Sequence, residues 1–456
     1  MKNNVIKLIN SNENKEFVRM LISICIPITA QYFVSALVNL IDSVMVGKLG
    51  DVAVASVGLS NQMFFIFNLI MLGVASGVAI FMTQYWGKKD IGGLHRSMAF
   101  GLIIIVPTIL IGTIFIYFMP EKVLSIFSND SLVIYEGSKY LKIVSLSYLP
   151  MSISLFLGYA LRSIDMVKYS VYSVFLALFI NVVLNYLLIF GIWIFPQLGI
   201  VGAAIATNIA RYVQVVLLII IIYAKQMPVA IKSFSAFKIN FTFFKRFAKT
   251  SGIVFINETL YGVGAALVFS ILGHIGTEIV AGANIARTVE NLIWIFFWSL
   301  CAAASVSVGK LIGAKEYDKA KRYAYKFIAT GSVVAVILAS VLIVLRPSIL
   351  SLFDVSTTAK DTANIYLILF SVFILIRGPI KILTGGVLRA GGDTTFVMLW
   401  DVIPLWIILL ICYVYAKTLL PSITVIFTLV IGYELVKVIP TLRRIKSGKW
   451  MNYLVK

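Results

Sequence analysis

The chain has 456 residues, 60% of them hydrophobic and only 13% charged, with a mean hydropathy of +0.99 and a formal net charge of +20. A water-soluble domain carries about a quarter charged residues and about half apolar ones. This composition therefore excludes a soluble globular protein, since too few polar groups would remain to cover the apolar surface.

The apolar runs are too long for strands and lack period-two alternation, so helices are expected rather than a transmembrane barrel. Twelve runs can supply the roughly 20 apolar residues that a spanning helix needs; they centre near residues 32, 68, 108, 149, 180, 212, 260, 295, 333, 374, 405 and 430. Several are interrupted by Pro, Asn or Gly, as spans lining a cavity often are. The polar N-terminus, "MKNNVIKLINSNENKEFVRM", lacks the charged, apolar and small-residue pattern of a signal peptide.

The first span contains "LVNLIDSVMVGKLG", in which Asp42 sits in an otherwise apolar run. A carboxylate within the membrane costs about 2.5–3.5 kcal/mol on insertion scales, so an intramembrane acid is by default a functional candidate. The bland alternative is a snorkelling residue near the outer interface. The fifth span, "FINVVLNYLLIFG", carries Asn181 and Asn185 four residues apart, hence on one helix face, and "GAAIATN" in the sixth carries Thr207. Carboxylate, amide oxygens and a hydroxyl form an all-oxygen set suited to a hard cation such as Na+, or to a protonation network. The amides and hydroxyl could equally tie helices together.

Residues 224–250, "AKQMPVAIKSFSAFKINFTFFKRFAKT", mix Phe with Lys and read as an amphipathic stretch on the membrane surface. The seventh span, "FINETLYGVGAALVF", holds Asn257 and Glu258, which with Gln31 of the first span are the substrate or second-cation candidates. Arg287 and Glu290 in the eighth are spaced for an internal ion pair. Arg377 and Lys381 in the tenth either line a cavity or snorkel to an interface; Asp401 in the eleventh reads as structural. "LRSIDMVKYS" and "LRAGGDTTF" lack a P-loop ending and a preceding strand, which excludes a nucleotide site. They read as short turns in which Arg162 could pair with Asp165, and Arg389 with Asp393. Cys25, Cys301 and Cys412 lie in separate spans with no disulfide or metal spacing. His95 and His274 fall at span ends. No catalytic motif is present, so no enzyme activity and no cofactor are expected.

The basic charge is placed asymmetrically. Counting loops alternately, one side takes Lys2, Lys7, Lys88, Lys89, Arg96, Arg162, Arg389, Lys437, Lys456 and many more, the other only Lys48, Lys122, Arg346, Lys360 and Lys417. That is the positive-inside pattern, which puts both termini in the cytoplasm. The charge reports topology and no nucleic-acid partner.

The chain also repeats itself. At an offset of 226, Gly47, Gly50, Gly87, Lys89 and Arg96 fall on Gly273, Gly276, Gly313, Lys315 and Arg322, and Gln31 falls on Asn257. "GYALRS" matches "GGVLRA" one residue further on. Six spans per repeat give both halves the same orientation. The expected fold class is therefore an all-α polytopic membrane protein of twelve transmembrane helices in two six-helix lobes: residues 1–223, a linker over 224–250, and 251–456.

Several stretches, "IPITAQYFVSALVNLIDSVMVGKLG", "GYALRSIDMVKYSV", "NVVLNYLLIFGIWIFPQLGIVGAAIAT" and "GGVLRAGGDTTF", resemble the multidrug and toxic compound extrusion (MATE) transporters over essentially the whole chain. The resemblance implies two lobes around a central cleft, alternating access, and export of cationic amphipathic compounds in exchange for H+ or Na+. It places the family's first-span aspartate on Asp42 and its polar cluster on Asn181, Asn185 and Thr207. The seventh-span glutamate of the NorM branch falls on Glu258, with Gln31 and Asn257 at matching depth. Where the DinF-like branch has a fifth-span aspartate this chain has Asn185, a NorM-like feature. Where NorM-like members have a tenth-span aspartate this chain has Gly378. Coupling is thus expected at the N-lobe. The remaining expectations are a plasma-membrane monomer with membrane lipids around it and small organic cations as substrates. A flippase for an anionic lipid-linked precursor is the alternative, and a membrane-embedded transferase a more distant one.

Overall fold

The computed structural model describes residues 12–239, 241–273, 275–353, 355–417 and 422–455. Lys2, Lys7, His274 and Lys456 lie outside the described residues. Among the described residues, twelve helices are long and apolar enough to cross a membrane. They are α1 (Asn12–Gly47), α2 (Asp51–Lys88), α3 (Ile91–Phe118), α4 (Ser131–Ser163), α5 (Val167–Phe190), α6 (Gly199–Ala224), α7 (Phe241–Gly273), α8 (Thr277–Gly313), α9 (Tyr317–Ser351), α10 (Thr357–Leu388), α11 (Thr394–Ala416) and α12 (Ile423–Ser447). The described residues contain no strand. In lipid a helix satisfies its backbone within its own segment, which is why these runs fold this way. For the same reason Pro27, Pro107, Pro347, Pro379 and Pro404 are tolerated inside spans, where neighbouring helices can re-satisfy the freed groups.

Local signals set the helix ends. The Asp90 carboxylate accepts from the Gly93 N–H at 2.8 Å and caps α3; Asp130 does the same for Leu132 and Val133 at the start of α4. The internal repeat is visible in the backbone. Lys89 and Lys315, at equivalent positions, both adopt left-handed φ (60° and 63°), and so do Asp165 (63°) and Gly392 (72°). In the last two turns the N–H of Met166 reaches Leu161 O and that of Asp393 reaches Leu388 O, the six-to-one bond of a Schellman ending. The structural counterpart of Asp165 is therefore Gly392 rather than Asp393.

The chain divides into two compact units, each discontinuous in sequence. One comprises Ala30–Met82 and Asp90–Phe255 and holds α3 to α6. Its interior includes Val38 of α1 packed on Val174 and Leu178 of α5. Gly202 of α6 lies against the Leu188 carbonyl of α5, a close approach that a side chain would block. The other unit comprises Met1–Thr29, Thr83–Lys89 and Ile256–Lys456. Within it Gly87 contacts Lys310 O while its repeat-equivalent Gly313 contacts Gln84 O, a reciprocal pair of glycines at a helix crossing. The final turn and a half of α10, Ile382–Leu388, is π-helical.

Candidate cation-coupling site

In the first unit, three helices bring the expected oxygen set together. Asn185 of α5 donates from Nδ2 to Asp42 Oδ1 of α1 at 2.7 Å. The same nitrogen approaches Asn181 Oδ1 at 3.4 Å, and Asn181 Nδ2 donates to Thr207 Oγ1 of α6 at 3.3 Å. The four-residue spacing on α5 puts both amides on one face, so a single hydrogen-bonded row runs from Asp42 to Thr207. Asn181 and Asn185 are buried, while Asp42 and Thr207 are half-buried.

One atom in this row is unsatisfied: Asn185 Oδ1 is buried and accepts no hydrogen bond from the described residues. A buried acceptor without a donor is costly unless a cation, a proton or water serves it. The donor chemistry fits H+ directly, since a protonated Asp42 could donate to that oxygen. It also fits Na+, whose preference is for carboxylate, amide and hydroxyl oxygens; Asp42, Asn181, Asn185 and Thr207 are the residues that would hold it. Among the described residues no group of three or more His, Cys, Asp or Glu suited to a transition metal occurs.

Two neighbours were not foreseen. Arg211 of α6 lies within electrostatic range of Asp42 and is held by Gln214 Oε1 at 3.1 Å; buried Tyr140 of α4 also interacts with Asp42 electrostatically. Arg211 was legible in principle, being an isolated cation in an apolar span one turn after Thr207.

The second unit holds a different arrangement. Glu290 of α8 pairs with Arg377 of α10 at 3.5 Å, Arg377 with Glu434 of α12 at 3.3 Å, and Glu434 with Lys437 at 3.3 Å. Lys437 pairs with Asp401 of α11 at 2.8 Å, Asp401 lies 4.0 Å from Arg389, and Arg389 donates to Glu258 of α7. The result is a continuous row of alternating charge. Tyr366 OH and Trp294 Nε1 complete the hydrogen bonds of Glu290. Lys381 stands beside the row with its ammonium 5.0 Å from the Tyr261 ring centroid, and no carboxylate of the described residues lies within 4.0 Å of it.

Several sequence expectations change here. Arg287 sits over the Phe269 ring at 4.6 Å, and Glu290 spends its charge on Arg377, because the guanidinium of α10 reaches it inside the bundle. Arg377 does not snorkel; it is buried between two acids. Lys437, read as a loop residue, is buried and paired, since α12 continues to Ser447. Arg389 and Asp393 do not pair: Arg389 turns to Glu258, while Asp393 takes two bonds from Arg444, at 2.6 and 3.0 Å. At the equivalent turn Arg162 lies over the Tyr159 ring at 4.9 Å, and Asp165 is exposed. Asn257, in the second unit, is buried and its Oδ1 has no partner among the described residues; Gln31 is half-buried in the first.

Comparison with known proteins matches this architecture. The family model described as MatE matches the chain twice, over residues 27–187 and 252–414, one match per repeat. A probable multidrug resistance protein NorM from Pasteurella multocida is 26% identical over 420 residues, covering 88% of this chain and 87% of that protein. An uncharacterized transporter, YisQ, from Bacillus subtilis is 22% identical over 418 residues, with 90% of each covered. Among solved structures, a MATE transporter from Vibrio cholerae superposes with a TM-score of 0.87 at 16% identity, covering 97% of this chain and 99% of that one. A transporter from Pyrococcus furiosus superposes with a TM-score of 0.85 at 17% identity, over 94% and 96%. With the family model matched in both repeats and relatives aligned over most of its length, the chain belongs to the MATE family of multi-pass membrane transporters.

Proposed function

We propose that this transporter is a secondary active antiporter that exports cationic amphipathic compounds in exchange for H+ or Na+, and that Asp42 is the coupling residue. The observation that carries the reading is the row Asp42–Asn185–Asn181–Thr207 with its buried, unserved Asn185 Oδ1. Binding of an ion there changes which partners Asp42 and Asn185 make, and so favours one arrangement of α1 and α5 over another. A coupling ion can shift an equilibrium only by its differential affinity for the two states, and this row supplies that difference.

The acids of the second unit are poorer candidates. Glu258, Glu290, Asp401 and Glu434 each have an internal cation as partner, so an incoming ion must first displace Arg389, Arg377 or Lys437. The same pairing weakens a flippase reading, which wants free positive charge; Lys381 alone among these cations lacks a close carboxylate. The basic asymmetry of the loops supports an orientation with both termini cytoplasmic, a plasma-membrane location goes with export of compounds from the cell, and a monomer suffices, since both repeats reside in one chain.

The test is transport by purified protein in liposomes loaded with a fluorescent organic cation, under a proton gradient and a sodium gradient imposed separately. One gradient should drive efflux from wild type, and Asp42→Asn should abolish it. Wild-type efflux rates in Asp42→Asn would sink the coupling assignment; absence of flux under both gradients would sink the antiporter itself.

A further inference from the structure

The segment joining α6 to α7 turns its aromatic residues outward. It is pinned to its own unit by buried Met227, Val229 and Ala230, by the Pro228 carbonyl bonded to His95 Nε2 at 2.8 Å, and by Tyr223 OH, which donates to Ile231 O at 3.1 Å. On the α7 side, Phe247 is fully buried and stacks on Phe81 with ring centroids 3.7 Å apart. Between these anchors Phe234 is 90% exposed and Phe241 77%, and Phe237 and Phe244 are exposed too. Ser233 caps the short 3-10 turn Phe234–Phe237, accepting from the Ser235 N–H at 3.2 Å. That turn holds the Phe234 and Phe237 rings 6.1 Å apart.

The charge around these rings is of one sign. Lys232, Lys238 and Lys245 are exposed among them, and no Asp or Glu occurs anywhere from residue 166 to residue 257. In the turns on the same side of this unit only Asp90 and Asp165 are acidic, and Asp90 spends its carboxylate on capping α3. Bare Phe rings set among lysines with no acid beside them in sequence match a boundary that is apolar on one side and anionic on the other. Aromatic side chains sit at the boundary of headgroups and acyl chains, and neighbouring lysines meet anionic phosphates there.

We propose that residues 231–245 form a docking surface for anionic lipid headgroups of the adjoining leaflet, with Phe234 and Phe241 inserted among the acyl chains and Lys232, Lys238 and Lys245 on the phosphates. The anchoring on both sides presents this face already formed, so little ordering is required on contact. The surface belongs to the membrane mounting of the unit and is independent of the ion-coupling reading.

The experiment places the full-length protein in nanodiscs of phosphatidylcholine alone or of phosphatidylcholine mixed with phosphatidylglycerol, and follows amide hydrogen exchange over residues 231–245. The amides of Ser235, Ala236, Lys238 and Ile239 already bond within the chain, so cover by lipid is read on the remaining amides of the segment. Exchange should slow by about fivefold or more when phosphatidylglycerol is present, since each lysine near an anionic surface contributes about that factor. The slowing should vanish at high salt, which screens headgroup contacts. Lys232→Gln, Lys238→Gln and Lys245→Gln together should remove the response to phosphatidylglycerol, with exchange elsewhere in the unit unchanged. Equal exchange in the two discs, or an undiminished response in the triple variant, would overturn the proposal. Phe234→Ser with Phe241→Ser should raise exchange in both discs, and no change in either would remove the insertion half of it.

Discussion

At the scale of single residues, two sites in one membrane protein handle carboxylates in opposite ways. Asp42 is held by one neutral amide nitrogen, whereas Glu434 and Asp401 are surrounded by cations. A hydrogen bond to a charged group is worth about 1.5–3 kcal/mol. Asn185→Ala should therefore change coupling-ion affinity about ten- to hundredfold, measured as the gradient dependence of efflux; an unchanged dependence would detach Asn185 from coupling. In the other unit, breaking a buried ion pair from one side costs about 3–5 kcal/mol because it strands a charge. Arg377→Met strands Glu290, while Glu434 keeps Lys437, and should lower thermal stability accordingly. Lys381→Met removes no acid's partner within 4 Å and should cost clearly less; comparable losses would show that Lys381 is as necessary to the row as Arg377.

At the scale of elements, glycine positions report which helices touch. A Cβ on Gly313 would collide with the Gln84 carbonyl, and the same holds for Gly87 against Lys310 O, backbone atoms that cannot step aside. Gly313→Leu should overpack this crossing and destabilise by about 1–3 kcal/mol or more, read as a fall in the thermal midpoint in detergent. Gly252 of α7 is the matched control, with nothing within 4 Å of its would-be Cβ. Gly252→Ala should be neutral or stabilising by about 0.5–1 kcal/mol, the helix-interior gain of Ala over Gly. Both glycines look alike in the sequence, where each sits at the charged end of a span. Only the neighbouring backbone separates them.

At the scale of the whole chain, the C-terminal tail acts as a strap within its unit. Gln84 at the end of α2 donates to Ala390 O and Asn452 O, both at 3.1 Å, and accepts from the Leu454 N–H at 2.9 Å. Lys88 Nζ reaches Val455 O at 2.8 Å, and fully buried Trp450 packs against Gly391 and Gly392's turn. Trp450→Ala empties a buried aromatic site and should cost about 3–5 kcal/mol of stability, measurable by thermal unfolding; a loss below about 1 kcal/mol would mean that the tail merely lies on the surface. Nothing in "SGKWMNYLVK" announces this role, since a short polar-aromatic end looks like any terminus.

What the sequence determined by itself was whatever depends on local composition and spacing. Twelve apolar runs imposed twelve helices because lipid leaves the backbone no other partner. The 226-residue offset reappears as the same left-handed residues at Lys89 and Lys315, and the four-residue step from Asn181 to Asn185 was enough to put both amides on the face that meets Asp42. What only the tertiary structure decided was the pairing of charge across helices far apart in the chain. Arg389 lay four residues from Asp393 yet bonds Glu258, 131 residues away, while Lys437 passed for a loop residue until α11 brought Asp401 to it. Inside a membrane a charge must find its opposite wherever the bundle places it, and sequence distance has no bearing on that search.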